Sequence, residues 1–100
     1  TLFNFGSPRL GNAAFAEWAS GKIPSNRARV THHKDMVVHT PPENTGFEHI
    51  SNEFYEDPVL SVKTCSGNED PTCSDQWHFA TSIDDHLLYL GLPMGTDGCA

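Results

Sequence analysis

The sequence predicts an α/β fold with a parallel sheet. Two observations carry that expectation. Strand, helix and strand patterns follow one another within the first 32 residues, and a polar loop holding an aspartate leaves the second strand. A strand–helix–strand unit joins its strands in parallel through the crossover. In open α/β sheets, sites form at the carboxyl ends of strands.

The first strand is "TLFNF", in which apolar Leu2, Phe3 and Phe5 surround polar Asn4 ahead of a Gly6–Pro8 turn. The helix is "NAAFAEWASG". Asn12 is its expected N-cap, Ala is frequent, and Phe15 and Trp18 share a face at i, i+3, where they are expected to pack in the core or on the sheet. Gly21 is the expected stop after the last turn. The second strand is "RARVTH", Arg27 to His32, with β-branched Val30 and Thr31 near its end. The polar loop follows directly, and Pro41–Pro42 bars both helix and ladder at its exit. "GFEHI", "EFYE" and "VLSVKT" are shorter strand candidates, and "DHLLYLG" reads as a short apolar helix ended by Gly91. Asp84 and Asp85 fall at its start, where carboxylates suit the helix dipole.

Composition narrows the partners. The 100 residues are the size of one small domain, and 37 % hydrophobic with 19 % charged residues fits a folded chain rather than a disordered one. The net charge of −7, with six Lys and Arg, argues against nucleic acid and against an anionic membrane surface. A neutral ester or lipid substrate, met at a lipid–water interface, is compatible with it. No apolar run approaches the roughly 20 residues of a transmembrane helix. The chain opens inside an apolar strand with no leading turn, signal peptide or initiator Met, so a fragment or processed product is expected.

Cys65 and Cys73 flank the polar turn "SGNEDPT". A bridge across so short a loop is worth roughly 2–3 kcal/mol. Zinc is the rival reading, weakened because the spacing is not C-x₂₋₄-C and there is no second cysteine pair. Cys99 is left over, which in an oxidising setting implies a partner elsewhere.

The chemistry concentrates at two positions. Asp35 lies in the loop after the second strand, and His86 follows 51 residues later. Aspartate before histidine is the α/β-hydrolase triad order. A serine hydroxyl needs a base, and the imidazole that serves must be held in one tautomer by a carboxylate. On pattern alone, Asp35 reads first as a solvated turn carboxylate beside Lys34, and His86 as a capping or surface histidine. His32, His33 and His39 suggest a metal site, but Lys34 interrupts them and no orienting partner is evident. No serine stands in G-x-S-x-G. Ser7 in "FGSPRLG" comes nearest, but Pro8 lacks the N–H that would face an oxyanion.

Four segments together resemble the C-terminal half of the fungal class 3 lipase family: "FNFGSPRLGNAAFAEW", "RVTHHKDMVVHTPP", "GFEHISNEFY" and "DDHLLYLG". That family includes secreted triacylglycerol lipases, mono- and diacylglycerol lipases and feruloyl esterases. The resemblance spans nearly all 100 residues. It implies the C-terminal portion, residues 1–100, of an α/β-hydrolase domain, with the strand at residue 1 an inner strand.

The resemblance makes Asp35 the triad acid and His86 the base. It places the serine elbow, oxyanion donors and lid in an N-terminal half outside this chain, needed as covalent or second-chain partner. Val37 and Leu87 become acyl-pocket candidates. Cys65–Cys73 resembles the family's C-terminal loop disulfide, and Cys99 the partner of a cysteine outside this chain. His49 and Glu53 read as structural. No metal or organic cofactor is implied, and the location is extracellular. Val38 and Thr40 stand where the family has Pro and Leu, and Leu90 where it has Phe. A polar Thr40 in the groove lends some weight to a feruloyl-type esterase, and a non-catalytic lipase-like binding domain is the other alternative.

Overall fold

Three strands read from the sequence lie side by side in parallel. In the computed structural model, which describes residues 1–98, these are β1 (Leu2–Phe5), β3 (Arg27–His32) and β5 (Glu53–Glu56), with β6 (Val62–Thr64) added antiparallel to β5. The order is β1-β3-β5-β6, a mixed rather than wholly parallel sheet. Phe5 faces Val30, and Thr31 faces Tyr55. The residues of β3 are buried except for a half-buried Ala28, as expected for a central strand.

The crossover is α1 (Ala13–Lys22), and Asn12 caps it through its side-chain oxygen, which accepts the Phe15 N–H at 2.9 Å. Gly21 does not stop the helix. Pro24 forces Ile23 into extended geometry, so α1 ends at Lys22 with Gly21 inside its last turn. Arg27, at the start of β3, donates to the carbonyls of Ser20, Ile23 and Pro24, closing orphan acceptors at that helix end.

The core face of α1 is also corrected. Ala16 and Ala19 are buried against Ile50 and Ile23, whereas Phe15 and Trp18 are 38 % and 59 % exposed and stack on each other. Small residues allow close approach of helix to sheet, and two i, i+3 faces compete in this sequence. The small one faces inward.

"GFEHI" contributes only β4 (Phe47–Glu48), paired with β2 (Gly11–Asn12) away from the main sheet. The expected helix over "DHLLYLG" is mostly something else. Helix α2 covers Ile83–His86 only, and the chain then forms the hairpin β7 (Leu88–Tyr89) and β8 (Leu92–Pro93). Leu90 and Gly91 form its two-residue loop, with φ of 53° and 74°. Two positive-φ residues in succession match the right-handed twist of a tight hairpin. The Leu90 N–H donates to the buried Glu56 carboxylate at 3.0 Å, which holds a non-glycine residue in that conformation.

Cys65 and Cys73 are joined as a disulfide, and Cys99 lies outside the described residues. No helix is long and apolar enough to cross a membrane among the described residues.

Candidate active site

The site grows from the carboxyl end of β3. The chain turns after His32, whose carbonyl accepts the Asp35 N–H at 3.0 Å. The turn is then stitched to the start of α2. The Met36 N–H donates to the Ser82 carbonyl, the Ser82 N–H donates to the Lys34 carbonyl, and Asp35 and Ser82 form a parallel bridge. Ser82 also caps α2, its hydroxyl accepting the Asp85 N–H at 3.0 Å. One short ladder therefore fixes both the loop of Asp35 and the helix of His86.

Asp35 is 1 % exposed. Its Oδ1 accepts the Val37 N–H at 2.8 Å. Its Oδ2 lies 2.9 Å from His86 Nδ1 and also accepts a short hydrogen bond from the Tyr89 hydroxyl. Three donors converge on one carboxylate, which suits its ionised, acceptor-only form. That form requires the proton on His86 Nδ1, leaving Nε2 as the basic nitrogen. His86 is partly open, its side chain 28 % exposed. Tyr89 is fully buried, and burial, with the Asp35 carboxylate next in weight, pushes its hydroxyl far above the ordinary range, so it stays a donor.

Gly6 closes the site from the end of β1. Its φ is 68°, and a Cβ there would fall 2.8 Å from both Asp35 Oδ2 and His86 Nδ1, and 2.9 Å from the Tyr89 hydroxyl. Gly6→Ala is expected to push this trio apart, with an activity loss of about a hundredfold or more where the pair serves catalysis. Proton NMR checks the geometry directly. The downfield signal of the His86 Nδ1 proton should be lost, and its persistence at the parental position would contradict the steric argument.

The description "Lipase (class 3)" matches residues 1–45. The lipase of Rhizomucor miehei is 35 % identical over 98 residues, covering 94 % of this chain and 26 % of that protein. Secreted mono- and diacylglycerol lipase 1 of Fusarium solani is 33 % identical over 81 residues, covering 73 % of this chain and 24 % of its own length. A solved triacylglycerol lipase, in which a serine protease triad forms the catalytic centre, superposes with a TM-score of 0.84 at 35 % identity, over 99 % of this chain and 37 % of that one. The chain belongs to the class 3 lipase family. Its fold is part of an α/β-hydrolase domain, and it spans about a quarter of the length of the curated lipases it matches.

Within this class 3 lipase chain the remaining candidates sort by their partners. Ser7 donates its hydroxyl to the Pro8 carbonyl, and among the described residues no side chain bonds His86 Nε2. Val37 is half-buried, and Leu87 is 43 % exposed. His49 is buried, donates Nε2–H to the Val38 carbonyl, and is held neutral, its pKa lowered to about 3 by burial and then by Arg29.

His32, His33 and His39 do not converge as metal ligands. His32 Nδ1 bonds the Asp85 carbonyl, His33 Nδ1 the Asp85 carboxylate, and His39 the Asp35 and Ser74 carbonyls. Glu43, Glu69 and Asp75 do approach one another, but the Arg9 guanidinium occupies their centre, at 3.2, 2.9 and 3.7 Å.

Sequence reasoning missed Gly6, Tyr89 and Asp85. The tyrosine had a signal, since a phenol three residues after a base histidine lies on the same side of the chain and within reach of the same carboxylate.

Proposed function

We propose that this chain is the C-terminal, Asp- and His-bearing part of a secreted serine ester hydrolase, a lipase acting on acylglycerols. The observation that carries the reading is the contact between the buried Asp35 carboxylate and His86 Nδ1, 2.9 Å across a gap of 51 residues. A serine from an N-terminal half of the domain attacks the ester carbonyl. His86 takes the hydroxyl proton at Nε2 and returns it to the leaving alcohol. Asp35 orients the ring and stabilises the imidazolium without taking the proton. Val37 and Leu87, each within two residues of the pair, line the acyl pocket.

The sheet supports such a partner half. Phe3, Phe5, Val30, Phe54, Val62 and Leu90 border an apolar hollow of about 280 Å³ on one sheet face, with Phe3 62 % exposed. Among the described residues β1 pairs only with β3. An uncovered apolar face and an open edge suit continuation of the sheet and its covering helices. Extracellular action accords with the relatives named as secreted lipases.

A fluorophosphonate probe tests the reading in the full-length protein that carries this chain. Hydrolysis of tributyrin should be abolished, and the phosphonate adduct should map to a serine outside these 100 residues. An adduct on a serine within them, or the absence of ester hydrolysis, overturns the proposal.

A further inference from the structure

The Asp35 loop and the His86 helix meet through a second imidazole–carboxylate pair with the roles crossed. His33, two residues before Asp35, places Nδ1 3.0 Å from Oδ2 of Asp85, the residue before His86. The same carboxylate oxygen accepts the Lys34 N–H at 3.1 Å, and the Asp85 carbonyl is bonded by His32 Nδ1 at 2.9 Å. His33 is held in place despite a φ of 41°. Its ring meets Trp77 edge-on at 5.1 Å, and its N–H donates to the Glu56 carbonyl.

We propose that His33, when protonated, cancels the charge of Asp85 and thereby keeps the neighbouring His86 neutral to lower pH than it would otherwise be. His33 is in this sense a positioning and charge-compensating residue for the base. The inference rests on the ester-hydrolase reading for its catalytic consequence, but not for the electrostatics.

The charges near both rings fix the sign. His86 faces Asp35 and Tyr89 at its Nδ1 side, and it follows Asp84 and Asp85 on α2. Each anion favours the imidazolium, which cannot act as base. His33 faces Asp85 from α2, His32 and Lys34 from its own segment, and the indole of Trp77, over which the Lys34 ammonium lies at 4.7 Å. A proton gained by His33 therefore offsets Asp85 and opposes a second proton on His86. Asp85 has the character this requires. Burial pushes its carboxyl up, but the Lys34 N–H, the His33 ring and the Ser82 contact outweigh that and leave it below the usual carboxylate range. The His33 side chain is 36 % exposed, so solvent reaches it directly.

Two variants of the full-length protein test this. His33→Asn is neutral and tolerates positive φ, and His33→Lys keeps a positive charge at all relevant pH. The readouts are the midpoint of the His86 titration, followed by imidazole NMR, and the acid limb of kcat/KM on p-nitrophenyl butyrate. His33→Asn should move both upward by about half a pH unit, whereas His33→Lys should leave both at or below the parental position. An unmoved midpoint in His33→Asn, or equal shifts in the same direction in both variants, overturns the inference. Asp85→Asn, which removes the charge that His33 is held to cancel, should lower the His86 midpoint, and an unmoved midpoint there also overturns the inference, even if a His33 variant fails to fold. A midpoint that moves as expected in a protein that hydrolyses no ester upholds the inference and defeats only the ester-hydrolase reading.

Discussion

Asp35→Asn is expected to lower ester turnover by about four orders of magnitude, the scale set by removing the carboxylate from a protease triad. The geometry explains why an isosteric change should cost so much. Asp35 accepts from three donors, Val37 N–H on one oxygen and His86 Nδ1–H and Tyr89 O–H on the other. An amide has one acceptor oxygen. If it faces Val37, its NH₂ faces His86 and drives the ring proton to Nε2, where a base is needed. If it faces His86, the Val37 N–H loses its partner and no negative charge remains to stabilise the imidazolium. Turnover of tributyrin, compared with thermal unfolding, is the check. The variant should fold at a cost of about 1–3 kcal/mol, that of an unmet buried hydrogen bond. Activity within tenfold of the parent would remove Asp35 from the triad.

Glu53→Ala is expected to cost about 3–5 kcal/mol of stability, the range for breaking one side of a buried ion pair. Glu53 is 1 % exposed and Arg29 2 %, and they stand directly opposite each other on β5 and β3 with Nη2 3.6 Å from Oε1. The other carboxylate oxygen accepts from the Thr31 hydroxyl at 2.6 Å and from the Ser74 N–H and hydroxyl. Truncation strands the Arg29 charge and three donors together. Burial lowers the Arg29 pKa, and the Glu53 charge is the largest influence opposing it, so truncation removes the main support of the charged form. Urea unfolding reads the loss as a lower midpoint at unchanged slope. A change below about 1 kcal/mol would mean that the Ile50 and Asn68 carbonyls, which Arg29 also contacts, satisfy it without Glu53.

What the sequence made legible follows from how local each signal is. β1, α1, β3 and β5 were readable because alternation, an Asn cap and β-branched runs are short-range, and their bounds hold to within a residue or two. The segment after His86 reads as a helix because its leucines suit one, while the fold needs Tyr89 turned inward to Asp35. A positive-φ pair at Leu90–Gly91 and a buried Glu56 decide that contest. Neither shows in local propensity. The inward face of α1 differs for a related reason, since apolar bulk favours Phe15 and Trp18 in the sequence while close packing selects Ala16 and Ala19. Asp35 and His86 were legible as a pair from order and resemblance. Gly6 was legible only as a turn residue, because its value lies in the volume it leaves for three side chains from distant segments. The histidines of the loop read from the sequence only as a weak metal-site candidate, yet His32 and His33 both grip Asp85, a contact across 52 to 53 positions that no spacing rule anticipates.

The Cys65–Cys73 bond has a topological consequence. In chain order it falls between Asp35 and His86, and it encloses a stretch that is exposed at Ser66, Gly67, Pro71 and Thr72. Exposed loops with Gly and Pro are where extracellular proteases cut first. A single cut within 66–72 would divide the backbone between the acid and the base without separating them. The bond would keep the two pieces one molecule, and the short ladder at Ser82 would still hold the imidazole to its carboxylate. The bridge thus makes this loop a place where the chain can be broken and the Asp35–His86 contact survive.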